Sequence, residues 1–154
     1  MSEQQPMFQG DLAFLSNFDT VPFFVPELGV EVPSGEHAFN ALKTLDPVER
    51  QSVLDAPTPG KSKRLGRRVT LRPEWNAGVR VWAMQRVLRA KFAVPALASR
   101  LDATDDLALL ETNQWHDQFW GVCLCPRHLP VPGTNMLGEL LMAIRANQRG
   151  AARP

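Results

Sequence analysis

Glu36, Asn40 and Lys43 fall at i, i+4 and i+7 in the stretch Pro33-Ser34-Gly35-Glu36-His37-Ala38-Phe39-Asn40-Ala41-Leu42-Lys43. At about 3.6 residues per turn, that spacing stacks a carboxyl, an amide and an amine along one stripe of a helix, away from Phe39, Leu42 and Leu45. Such a carboxyl can trade protons, and a desolvated lysine can act as a nucleophile. The same pattern also describes an amphipathic helix that turns its polar side to water. A second group is Asp117-Gln118-Phe119-Trp120-Gly121. It offers an aspartate for a developing cation, a tryptophan for a flat ring and a glycine for close backbone approach. It also reads as a turn with Trp120 plugging the core. A third, Gly133-Thr134-Asn135-Met136-Leu137-Gly138, leads a loop into a helix start. The free N–H groups there suit an anion, or the segment is an ordinary start capped by Thr134 or Asn135.

Cys123, Cys125 and His128, with His116 upstream, raise the question of a metal. Structural zinc sites usually separate paired cysteines by two to four residues, and one Cys-x-Cys with one histidine supplies too few ligands. The expectation is therefore no metal, with free cysteines in a surface loop. A bridge between such close neighbours is strained, which suits a reducing compartment. Residues 1–13 show neither a basic region nor an apolar core of a secretory leader, and no charge-free run is long enough for a membrane helix. A cytoplasmic protein with no membrane partner is expected. Phosphate-loop, dinucleotide-fingerprint, HExxH and GxSxG motifs are all missing from the sequence.

The elements that must position these groups can be read from caps and periodicity. A length of 154 residues at 44% hydrophobic content predicts one domain over 1–154, with a core at about 8–147 and a frayed C-terminal tail. Pro22 to Val32 reads as a short edge hairpin. Helices are predicted from Ser34 to about Leu45, from the Asp46 cap to before Pro57, and from Thr58-Pro59 to near Gly66. The longest is predicted from Arg72-Pro73 to about Phe92, with Trp75, Val79 and Trp82 beside Val81, Met84 and Leu88 forming its buried stripe. Two more run from Pro95 to about Leu101 and from Asn135 to about Asn147. In the last, Leu137, Leu140, Leu141 and Ile144 face inward and Gly150 lies beyond the end. Residues 107–111 fit a helix turn or a buried strand, and 122–134 a loop. The fold class is mainly α, at the α+β margin, with a short N-terminal β-hairpin. Charge is segregated within a net +1: residues 61–91 hold ten bases against Glu74 alone. Such a block suits a phosphorylated ligand or nucleic acid, or a solvated helix face.

The ordered phrases Phe14-Leu15-Ser16-Asn17-Phe18, Pro33-Ser34-x-Glu36-His37-Ala38-Phe39, Lys43, Pro59-Gly60-Lys61 and Leu65-Gly66-Arg67-Arg68 resemble the NADAR (YbiA-like) family. The likeness continues through Leu71-Arg72-x-x-Trp75, Arg89-Ala90-Lys91-Phe92, Leu110-Glu111, Asp117-x-x-Trp120-Gly121 and Asn135-x-Leu137-Gly138-x-x-Leu141-Met142, about Phe14 to Arg145. It implies a single, mostly helical domain with N-glycosidase activity on a sugar C1′ bonded to an exocyclic amine. The expected substrate is ADP-ribose on guanine in nucleic acid. The alternatives are phosphoribosylamino-pyrimidine intermediates of riboflavin synthesis and, in another class, a non-catalytic ADP-ribose or nucleotide reader. By position, Lys43 would attack C1′ as a Schiff-base lysine, Glu36 would shuttle protons, and Asp117 would orient the ribose or steady positive charge. Trp120 and Phe18 would sandwich the base or sugar. Arg67, with Lys61 and Arg68, would hold phosphate, and Asn135 with its helix start would bind ribose or pyrophosphate. Phe14, Ser16, Asn17, His37, Asn40, Trp75, Gly121 and Gly138 complete the implied binding set. No cofactor is implied, because the lysine itself supplies the electron sink. The likeness does not indicate an oligomeric state.

Overall fold

Three of the helix starts follow directly from side chains that cap them. The computed structural model describes residues 8–151. Helix α1, Gly35–Ala41, begins where the Ser34 hydroxyl accepts the His37 N–H. Helix α2, Pro47–Leu54, begins where Asp46 accepts the N–H groups of Val48 and Glu49, with Pro47 in the first turn. Helix α3, Pro59–Gly66, begins where Thr58 accepts the Lys61 N–H. Each cap satisfies donors that a helix cannot pair internally. The remaining elements are β1 Phe23–Val25, β2 Val30–Val32, α4 Val79–Lys91, α5 Pro95–Asp102, β3 Thr112–Asn113, β4 Val122–Cys123 and α6 Met136–Ala151. Two 3-10 turns, Gly10–Leu15 and Trp75–Ala77, complete them. The fold is mainly α with small sheets.

The described chain falls into two compact units, one of 17–97 and one of 8–16 with 98–151. In the first, β1 and β2 form the expected antiparallel hairpin, Phe23 opposite Val32 and Val25 opposite Val30. Helix α1 packs on α2, α3 and α4, and β1 lies on α4. Helix α1 ends at Ala41, earlier than about Leu45, because the chain must become extended at Asp46, the residue before Pro47. The predicted start of α4 near Pro73 also moves. Glu74 (φ 60°) and Gly78 (φ 123°) have left-handed or otherwise non-helical backbones, so the helix starts only at Val79. Its buried stripe is Ala83, Met84, Val87, Leu88 and Lys91, and Trp82 instead lies half-buried with the guanidinium groups of Arg72 and Arg86 at 5.4 and 5.8 Å from its ring.

In the second unit, residues 107–111 form neither a helix turn nor a strand. Their backbone pairs outward instead: the Glu111 carbonyl accepts the Val122 N–H at 2.8 Å. This brings β3 and β4 into a short parallel pair, Asn113 opposite Cys123, where the sequence predicts only loop for 122–134. Helix α6 is the longest element and runs through Gly150, past the predicted stop near Asn147. It buries Leu137, Gly138, Leu141, Ile144 and Arg145, with Leu140 only half-buried. The Arg145 guanidinium accounts for part of that burial, donating to the Thr104 hydroxyl and the Leu107 carbonyl. The predicted C-terminal fraying falls on 152–154 and the leader reading partly on 1–7, outside the described residues. No described helix is long and apolar enough to cross a membrane.

Candidate active site on the first helix

Helix α1 and the turn after it set Glu36, Asn40 and Lys43 on one line, as their spacing predicts. The polar face does not turn to water. Glu36 is 9% exposed, Asn40 is fully buried and Lys43 is half-buried. The Asn40 amide donates to the Glu36 carbonyl at 2.8 Å and to Glu36 Oε1 at 3.0 Å, which fixes the carboxyl against its own helix. The space for this comes from α3. A Cβ on Gly66 would collide with the Asn40 side chain, so only glycine lets the two helices meet there.

Burial pushes the Glu36 carboxyl pKa above its ordinary value. The Asn40 hydrogen bond and the charges of Lys63, Lys43 and His37 oppose that rise. Burial pushes the Lys43 ammonium pKa down. Glu36 opposes that fall, while the positive charges of Lys63 and Arg67 add to it. The Lys43 amine lies over the Phe39 ring at 5.6 Å, and the Lys63 amine over the half-exposed Phe18 ring at 5.6 Å. The arrangement thus holds a carboxyl biased toward its proton beside an amine biased toward its free base. Two further bases and an aromatic ring lie close by.

Lys63 is outside the set expected from the sequence, although its i, i+4 relation to Arg67, the residue that caps the C-terminal end of α3, contains the signal. The same helix periodicity separates the expected phosphate ligands. Arg67 goes with Lys63 toward Lys43. Lys61 and Arg68 line a different cleft of about 570 Å³ with Arg64, Ser52, Asp55 and Pro57. Three other expected ligands in this unit have structural work. His37 is 1% exposed; its Nε2 donates to the Ala56 carbonyl at 2.9 Å and its Nδ1 meets Ser34 Oγ at 2.7 Å. Asn17 is buried, gives its carbonyl to the Glu36 N–H and points its amide at the Met84 sulfur. Trp75 is buried against Phe39, ring centroids 5.3 Å apart.

In the second unit, Phe14 is buried under the Arg100 guanidinium and Ser16 closes the first 3-10 turn. Asp117 Oδ1 accepts the N–H groups of Phe119 and Trp120, and the half-buried Trp120 ring meets Phe119 edge to face. At the helix start by Asn135, four N–H groups are engaged within the protein. The N–H groups of Thr134, Asn135, Met136 and Leu137 go to the carbonyls of Gln118, Gly121, Phe119 and Trp120. The Asn135 side chain is likewise spent, accepting from the Glu111 N–H and donating to the Leu109 carbonyl. Gly121 and Gly138 press against the carbonyls of Glu111 and Leu109, where a Cβ would not fit. Chain-to-chain packing is thus what demands glycine at both positions.

The helical frame and the order of motifs along it are those of one family. The NADAR domain model matches residues 7–149, and the chain belongs to that family. It is 35% identical over 138 residues to N-glycosidase YbiA of Escherichia coli (strain K12), covering 88% of this chain and 81% of that protein. It stands in the same relation, 35% over 138 residues, to N-glycosidase YbiA of Shigella boydii serotype 4 (strain Sb227). It is 34% identical over 135 residues to riboflavin biosynthesis protein VVA0006 of Vibrio vulnificus (strain YJ016), covering 86% of this chain and 34% of that protein. The NMR structure of the E. coli protein YbiA matches with a TM-score of 0.79 at 31% identity, over 97% of this chain and 87% of that one.

Proposed function

We propose that this protein hydrolyses the bond between a ribose C1′ and an exocyclic amine, and that its substrate is ADP-ribose carried on guanine in nucleic acid. Two relatives named N-glycosidase support the enzyme class, a hydrolase acting on N-glycosyl compounds. The observation that carries the mechanism is the burial of Glu36 and Lys43 on one stripe of α1 and the turn after it, where desolvation shifts the carboxyl pKa up and the amine pKa down.

A glycosylamine can open its own ring. The nitrogen lone pair forms C1′=N, the C1′–O4′ bond breaks, and Glu36 gives its proton to O4′. The neutral Lys43 amine then adds to C1′. Glu36 relays the proton from Lys43 to the base nitrogen, the C1′–N bond to the base breaks, and a Lys43–C1′ iminium remains. Water adds to C1′ and gives up a proton to Glu36. The new hydroxyl passes its proton to Nζ, the C1′–Nζ bond breaks, and Lys43 leaves as the free amine with the sugar as its aldehyde, which recloses. One water is consumed and both residues return to their starting states. Lys63 and Arg67 supply positive charge for phosphate, and the half-exposed Phe18 ring beside Lys63 supplies an aromatic surface for the base.

A second substrate reading, the phosphoribosylamino-pyrimidines of riboflavin synthesis, is favoured by the relative named for that pathway. Offering ADP-ribosylated DNA and the pyrimidine intermediate in parallel separates the two, since the true substrate releases its free base. Lys43→Ala should abolish turnover. Borohydride should trap the wild type as a sugar adduct on the peptide that contains Lys43. Turnover at the wild-type rate without Lys43 would remove the imine step. Binding of ADP-ribose with no product in a single-turnover assay would make the protein a reader.

A further inference from the structure

The segment 112–128 gathers four soft donor atoms that the proposed hydrolysis does not use. One ring nitrogen each of His116 and His128, with Cys123 Sγ and Cys125 Sγ, all lie within 4.8 Å of one another. The separations are 3.2 Å from Cys125 to His128, 3.4 Å from Cys125 to His116, 4.0 Å from Cys123 to His116 and 3.3 Å between the two histidine nitrogens. Zinc–sulfur and zinc–nitrogen bonds of about 2.3 and 2.0–2.1 Å at tetrahedral angles require edges of roughly 3.3–3.8 Å. Four of the six edges thus lie at 3.2–4.0 Å, close to those of a zinc tetrahedron, and the other two are no longer than 4.8 Å. We propose that His116, Cys123, Cys125 and His128 bind one zinc ion as a closed Cys2His2 structural site.

The local backbone shows why the sequence spacing is misleading. Cys123 ends β4 and Cys125 stands two residues on, in the bend that follows the strand, so the Cys-x-Cys spacing is not that of a zinc-binding turn. The usual turn spacing is supplied by the second pair. The Cys125 carbonyl accepts the N–H groups of His128 and Leu129, folding Cys125-Pro126-Arg127-His128 into a tight turn. The fourth donor comes from the parallel pairing of β3 with β4. Asn113 lies opposite Cys123, and its side chain accepts the Trp115 and Asp117 N–H groups and donates to the Asp117 carbonyl. The turn so formed holds His116 at a φ of 70°, a left-handed conformation that a non-glycine residue adopts at some cost. Both cysteines are buried, which corrects the expectation of thiols in a surface loop. Two thiolates with two imidazoles in a tetrahedron select zinc over the hard cations and over square-planar copper or nickel. With all four corners supplied by protein, the role is structural. The ion would lock the Asp117–Gly121 turn, whose carbonyls cap α6, to the loop that leads into that helix. Gln118 already braces the same join, accepting the Cys123 N–H and donating to the Val131 carbonyl.

The test uses the full chain, purified under reducing conditions without added chelator or metal-affinity resin, and measures bound metal by mass spectrometry. About one zinc per chain is expected, displaced when a mercurial reagent titrates the thiols. Cobalt substitution should give the intense visible bands of tetrahedral thiolate coordination. Cys125→Ser and His128→Ala should each lose most of the zinc, while Arg127→Ala, in the same turn but not a donor, should keep it. If the donor variants do not fold, a competing chelator on the wild type gives the same answer, because metal removal should lower the melting temperature and zinc should restore it. Reduced protein that holds less than about a tenth of an equivalent of zinc after titration with the free ion would overturn the proposal. So would octahedral cobalt spectra, or full zinc retention in Cys125→Ser.

Discussion

The Glu36 carboxyl is held by a single amide, and its pH behaviour follows from that environment. Turnover needs Glu36 protonated and Lys43 neutral, so activity should rise with pH as Lys43 loses its proton and fall again as Glu36 loses its own. Glu36→Gln preserves the shape and removes the proton. Turnover should drop roughly 10²–10⁴-fold, the usual worth of a general acid. What remains should climb with pH to a plateau, without the alkaline fall. A variant that keeps the falling limb would place the titrating acid elsewhere. Stability should move the opposite way. A carboxyl whose pKa is raised by folding contributes stability in acid and loses that contribution as pH rises through its folded value. Glu36→Gln should therefore melt above wild type at alkaline pH, and the gap should close toward acid, as read by calorimetry across pH.

At the level of elements, α1 and α3 are held at a separation that glycine alone permits. Gly66→Ala forces a methyl into Asn40, the residue that orients Glu36. Overpacking of this kind costs about 1–3 kcal/mol, and here it should also lower kcat by moving the acid. Gly60→Ala on the same helix is the control. Its Cβ meets nothing within 4 Å, so it should be neutral or stabilising by about 0.4–1 kcal/mol. Equal melting temperatures for the two variants would disprove the close-approach account. Caps are also where the sequence is most legible. Ser34, Asp46 and Thr58 announce α1, α2 and α3 because the cap bond is local, made within three residues. The start of α4 is not legible, because Arg72-Pro73 imitates a helix start while the left-handed Glu74 and the non-helical Gly78 behind it obey tertiary packing. The β3–β4 pair is not legible either. A two-residue parallel pair has no periodicity of its own, so nothing in the spacing brings His116 to the cysteines. The stripe of Glu36, Asn40 and Lys43 can be read from spacing. Its burial cannot, since that depends on Gly66 of another helix.

Over the whole molecule, the clustering of base on 61–91 acquires a direction once α3 is placed. One side of the helix turns Lys63 and Arg67 toward Lys43, and another turns Lys61, Arg64 and Arg68 into the cleft beside the end of α2. A lone phosphoribosyl group needs only the first side. A nucleic-acid strand bearing its modified base at Lys43 has further phosphates to place, and the second side offers arginine forks for them. The two substrate readings thus differ in salt dependence. Phosphate contacts release counterions, and each contributes nearly one unit to the slope of log affinity against log salt. Arg64→Glu and Arg68→Glu should each raise KM for ADP-ribosylated DNA and flatten that slope by about one unit, with kcat held because neither side chain lies beside Lys43. Steady-state kinetics on a modified duplex across a salt series measures both quantities. An unchanged slope in the double variant would detach the second cleft from the substrate and leave the chemistry at Glu36 and Lys43 with a small phosphorylated ligand.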